Sequence, residues 1–208
     1  MMRPLLIAMS IVVAASFWPR SAQADSALKI TRTQFQLYRD YQAALTDARV
    51  EKMKPAKRLP AIARNFHVKL AELKTAIALG DAEAGQVQQS ELAAIKAAFA
   101  GTPLEGKLGQ VRVDASQGRV IAYVEWFNAD PAKLNQEACW VAARTTKAAP
   151  LVGTIDLYAQ DAAAKTTRVY SALIDADRAA NIHEDQIVDF AATRYSRLFE
   201  KHAVSAAP

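Results

Sequence analysis

Cysteine is almost missing from this chain: Cys139 is the one thiol in 208 residues. A single thiol excludes an intrachain disulfide framework and any metal site built from several cysteines. Histidine is nearly as scarce. The three, at 67, 183 and 202, include no pair one helical turn apart, so no helix face presents two imidazoles to an ion. Seven glycines are present, but none are grouped as in the loops that wrap phosphates. Cys139 is therefore expected to be a buried helix residue rather than a nucleophile, with pairing to a second chain the lesser reading. No cofactor and no catalytic signature is expected.

Long apolar runs are also lacking. The uncharged stretch from Leu5 to Phe17 covers 13 residues, against the roughly 20 that a bilayer core demands. Arg3 precedes it, Pro19 interrupts it, and Ala22-Gln23-Ala24 follows, which is the pattern of an export signal cleaved after Ala24. No cysteine follows this region to carry a lipid. The expectation is a periplasmic or secreted chain beginning at Asp25, without a transmembrane span and with 184 residues for a core.

Charge is unevenly spread. The formal balance of +5 falls to +3 without the first 24 residues; residues 25–80 carry +6 and residues 81–208 carry −3. The basic end is thus the N-terminal third, where Lys54, Lys57, Arg58, Arg64, Lys69 and Lys74 fall within 21 positions. Such a concentration attracts anions. These six residues are the candidate contacts for an anionic partner.

Periodicity divides the chain in two. Thr31-Arg-Thr-Gln34 fits a capping box, and Phe35, Tyr38, Tyr41 and Leu45 follow at helical spacing to about Lys52, ahead of Lys54-Pro55. Two short helices are expected over 56–65 and 69–79, the second closed by Gly80, and a fourth from Asp81 to Phe99. Residues 101–109, with three glycines and a proline, are expected to be a boundary between a basic helical domain, 25–101, and a second domain, 107–202. There the pattern alternates: Val120, Ala122, Val124 and Trp126 share one face of a strand, and Ile121, Tyr123, Glu125 and Phe127 the other. The order strand, strand, helix then recurs, with Trp140–Arg144 echoed by Phe190–Arg194. This predicts an α+β protein: a four-helix domain followed by a ββαββα domain, in part a duplication. Its sheet is expected to be four-stranded and antiparallel with helices on one face, and residues 203–208 to be a disordered tail. Tyr123, Trp126 and Phe127 are the candidate aromatic surface.

One segment has a familiar pattern. Ile62-Ala63, His67-Val68, Leu73 and Ile77 occupy the places that apolar and turn residues hold in the helix-turn-helix of DNA-binding proteins, which residues 59–77 resemble. The segment departs from that family at His67, where glycine is usual, and at Lys69, where a Ser or Thr cap is usual. The resemblance implies that Lys69 and Lys74, with Arg58 and Arg64 nearby, could reach phosphates. The same spacing also serves two packed helices without DNA. In an exported chain the second reading is expected. The leading expectation is a non-catalytic binding or structural module of the cell envelope, meeting an envelope protein or an anionic envelope component, with room for a homodimer. A nucleic-acid-binding protein on the cytosolic side is the first rival and a hydrolase without a linear signature the second.

Overall fold

The computed structural model describes residues 28–116, 118–189 and 197–204; the expected export signal, residues 1–24, lies outside them. The fold is α+β. Helices α1 (Arg32–Leu45), α2 (Ala48–Glu51), α3 (Pro55–Asn65) and α4 (Leu70–Ala98) come first. Strands β1 (Leu108–Asp114) and β2 (Val120–Asn128), helix α5 (Leu134–Ala148), strands β3 (Val152–Asp161) and β4 (Arg168–Asp175), helix α6 (Ala176–Ala179) and strand β5 (Lys201–Val204) follow.

Several boundaries follow from local chemistry. The capping box forms: Thr31 Oγ1 accepts from Gln34 N at 3.3 Å, and Thr31 N donates to Gln34 Oε1 at 3.0 Å. The first helix stops at Leu45 rather than near Lys52, because Asp47 turns its carboxylate onto Arg49 N at 2.7 Å and starts α2 afresh. Pro55 opens α3, where its missing N–H goes unneeded. At the end of α3 the His67 N–H donates to Arg64 O at 3.2 Å and the Val68 N–H to Ala63 O at 3.0 Å, with His67 at φ 57°. This is a Schellman closure with histidine in the left-handed position where glycine is most comfortable.

Gly80 does not end a helix. The two helices expected over 69–79 and 81–99 are one, α4, of 29 residues. A Cβ at Gly80 would lie 2.2–2.6 Å from ring atoms of Tyr38. Glycine is there so that α1 can cross α4 closely with the Tyr38 ring laid against its backbone, a tertiary requirement rather than a cap.

The sheet differs from expectation in number and direction. It has five strands in the order β1-β2-β3-β4-β5, and β2 and β3 are parallel. Helix α5 is the reason: leaving the end of β2, it carries the chain back along the sheet, so β3 must start beside the start of β2. The other neighbours are antiparallel. Where the ββαββα pattern places its last helix, Glu184–Asp189 form a 3₁₀ turn; residues 190–196, including the echo of Trp140–Arg144, lie outside the described residues. His202 to Val204 pair with Ala172 to Tyr170 in β5, and so Ala203 and Val204 belong to the sheet rather than to a frayed tail.

The boundary expected at 101–109 does not separate two cores. Phe35, Tyr38, Val87, Ile95 and Phe99 are buried in one cluster with Val113, Val124, Trp126, Ile155, Leu157 and Ile174, and Leu104 anchors the connection itself. A second, small cluster of Leu37, Ile62, Ala63, Leu73 and Ala76 lies where α1, α3 and the start of α4 meet. No described helix is long and apolar enough to cross a membrane.

Two glycine exchanges test this account by urea unfolding. Gly80→Ala is expected to cost about 1–3 kcal/mol through overlap with Tyr38. His67→Gly is expected to gain up to about 1 kcal/mol by relieving the left-handed backbone. If the Gly80 variant is as stable as the parent, the close helix crossing is wrong.

Candidate functional site

The basic residues gather on the helical tip around the small cluster. Lys57 and Arg64 are exposed and seven positions apart, hence on one face of α3, opposite buried Ile62 and Ala63. Lys54 precedes that helix, and Lys69 and Lys74 stand at the start of α4; all three are exposed. Among the described residues none of these five cations forms an ion pair. Arg58 is half-buried and differently used: its Nε donates to Met53 O at 3.0 Å and its Nη2 to Glu51 O at 2.7 Å, closing the carbonyl end of α2. It joins the patch by position more than by free donors. Arg64 Nε donates to Pro60 O at 3.3 Å, which leaves its terminal nitrogens outward.

The three candidate aromatics are split. Trp126 is buried in the core with its Nε1 donating to Glu137 Oε2 at 2.9 Å, so it cannot be a surface residue. Tyr123 and Phe127 lie on the opposite face, half-buried, as the alternation predicts. On that face Arg112 from β1 stacks over Tyr123, 4.1 Å from the ring centre, and Arg168 from β4 stacks over Tyr158 at 4.0 Å. Glu125 Oε2 accepts from Gln160 Nε2 at 2.7 Å between them. These residues border an open hollow of about 400 Å³. Sequence reasoning found Tyr123 but not its companions, since only the parallel register, Glu125 opposite Tyr158, brings them together.

A larger cleft of about 450 Å³ lies between α1, the α3–α4 turn and the sheet end. Phe35, Leu37, Phe66 and Val68 supply apolar walls. Its arginines are paired, Arg32 with Asp177 and Arg119 Nη1 with Asp175 Oδ2 at 3.4 Å, while Asp40 and Glu72 also line it without an ion pair. Its described lining holds no histidine, cysteine or lysine. Carboxylates at the ends of β3 and β4 and on β3 do local work. Asp175 accepts from Asp177 N at 2.8 Å, Asp161 from Ala163 N at 2.7 Å, and Asp156 from the Tyr158 hydroxyl. No group of three His, Cys, Asp or Glu among the described residues is placed to hold a metal.

Cys139 is fully buried, and desolvation pushes its thiol well above the usual range, so the inert reading fits its surroundings. Two buried carboxylates had no sequence signal. Glu137 accepts from Trp126 Nε1, from Asn128 Nδ2 at 2.7 Å and from Lys107 Nζ at 2.7 Å. Glu91 on α4 accepts from Leu151 N at 3.0 Å, and burial raises its pKa to about 7. Neither faces a cleft described above.

Comparison with protein-family models, with curated proteins and with solved structures found no match.

Glu91 sets a pH dependence whose sign can be worked out. Its unfolded pKa is 4.5 and its folded value about 7, so between those values the unfolded chain has released a proton that the folded chain keeps. Stability is therefore greatest below pH 4.5 as far as this group is concerned and declines toward pH 7, by about 3 kcal/mol. Glu91→Gln is expected to flatten that part of the profile. Parallel profiles for parent and variant in thermal melts between those pH values would remove Glu91 as the cause.

Proposed function

We propose that this protein is an exported, non-catalytic binding module of the cell envelope, released after Ala24, whose helical tip meets an anionic partner. One observation carries the reading: Lys54, Lys57, Arg64, Lys69 and Lys74 stand exposed around the small cluster at the helical tip, and none of the five forms an ion pair among the described residues. Unpaired cations held on a rigid scaffold raise the local density of anions and accelerate encounter with them. The tip is built by helix packing and a Schellman turn, which present the charges without moving parts.

The helix pair favours one rival reading. An α3–α4 unit with a left-handed turn at His67 is compatible with phosphate contacts from Lys69 and Lys74 on duplex DNA. It requires the chain to remain on the cytosolic side.

Cell fractionation with N-terminal sequencing separates the two: the proposal expects a chain starting at Asp25 outside the cytosol. On a heparin column the combined exchange Lys57→Gln/Arg64→Gln is expected to weaken retention about 10-fold, and Lys96→Gln, at the far end of α4, to leave it unchanged. An intact cytosolic chain that shifts duplex DNA in a salt-dependent manner would replace this reading with the rival.

A further inference from the structure

Large apolar side chains at the surface are few. Among the described residues Met53, Leu70 and Val204 are the exposed ones, at 37 %, 36 % and 49 %. Val204 lies on the edge strand β5. The other two flank the basic strip. Met53 immediately precedes Lys54 and the start of α3; Leu70 immediately follows Lys69 and opens α4, with Lys74 four positions on, on the same side of that helix. Sixteen residues lie between them, Lys54 to Lys69, with α3 among these. The segment that carries Lys54, Lys57, Arg64 and Lys69 is thus flanked in sequence at each end by an exposed apolar side chain.

Cations alone suit any polyanion. Cations with apolar side chains at the same level suit a surface that is anionic outside and apolar a few ångströms deeper, which is the boundary of a lipid bilayer. A soluble anion or a polysaccharide gives Met53 and Leu70 nothing to enter. Among the described residues Met53 and Leu70 are the exposed large apolar side chains of the helical layer, and they are the feature that selects among anionic partners.

We infer that the helical tip docks on an anionic lipid surface, with α3 lying along the headgroups and Met53 and Leu70 entering between them. This rests on the anionic-partner reading of the same tip. The occupant is the lipid surface itself rather than a protein seated in it, because the cations are spread along a helix face instead of converging on one point.

The test uses the full chain as the cell processes it, with three probes: phosphatidylcholine vesicles, the same vesicles doped with phosphatidylglycerol, and heparin. The parent is expected to sediment with the doped vesicles and not with the neutral ones. Lys54→Gln/Lys57→Gln/Arg64→Gln is expected to weaken that partition about 100-fold. Met53→Ser/Leu70→Ser is expected to weaken it about 10-fold, leaving both the salt dependence and heparin retention as in the parent. All the exchanged side chains lie at the surface, and matching circular dichroism and melting temperatures establish that the variants are folded. Retention on heparin without partition to doped vesicles overturns the lipid inference and keeps the anionic-partner reading; loss of both overturns both. Full partition of the Met53/Leu70 variant overturns insertion, and equal binding to neutral vesicles overturns the role of charge.

Discussion

The carboxylate of Glu137 is where the fold closes. It is buried on α5 and takes hydrogen bonds from Trp126 and Asn128 on β2 and from Lys107, just ahead of β1. A charge out of water is tolerated only where its lone pairs are met by donors, and here three donors from two further segments do so. The bond to Trp126 also provides the indole N–H with the partner that a ring buried this deeply requires. One side chain thereby fixes the direction in which α5 leaves β2. That direction decides that β3 runs parallel to β2, and the β3–β4–β5 half of the sheet is laid down from there.

The long helix α4 is tied to the same assembly by comparable means. Glu83 accepts from the backbone of Lys29 and Ile30, both at 2.9 Å, and so holds the entry to α1. Glu91 holds the start of β3 through Leu151. Arg144 on α5 donates to Ala98 O at 3.2 Å, closing the C-terminal end of α4. Each contact joins segments distant in sequence, and most use a carboxylate to satisfy backbone N–H groups that no ladder reaches. The N-terminal helices are therefore part of the sheet's core. Only the far tip, with its small separate cluster, stands outside it.

This explains what could be read from the residues alone. Features decided within a few positions were legible: the capping box at Thr31, the awkward backbone at His67, and the two faces of β2. Features decided by a distant partner were not. Gly80 reads as a stop until Tyr38 is placed against it, and Trp126 is counted with the candidate aromatic surface until Glu137 reaches its nitrogen. The antiparallel expectation failed because strand order within a hairpin says nothing about how two hairpins meet across a helix. Strand β5 was hidden because four residues carry too little pattern to be told from a fraying terminus. The basic tip was legible as composition. Its division into five outward cations and one arginine spent on carbonyls was not.

The contrast between the two ends of the molecule bears on function. Around the sheet, Arg32, Arg119, Arg144 and Lys107 are neutralised by Asp177, Asp175, Glu184 and Glu137, and Arg112 and Arg168 lie over tyrosine rings. At the tip Arg49 pairs with Asp47, but Lys54, Lys57, Arg64, Lys69 and Lys74 form no ion pair among the described residues, although the cluster beneath them is small and has little stability to spare for mutual repulsion. Neutral or acidic residues at Lys57 or Arg64 would serve the packing of α3 as well, because both side chains point away from it. Helix packing thus accounts for Ile62, Ala63 and Leu73 but leaves the unpaired charges, and the exposed Met53 and Leu70 among them, without a structural reason. A local choice that works against the stability of its own fold is what a contact surface requires, and at this tip the anionic, apolar-backed partner proposed above would relieve the unfavourable features of both kinds together.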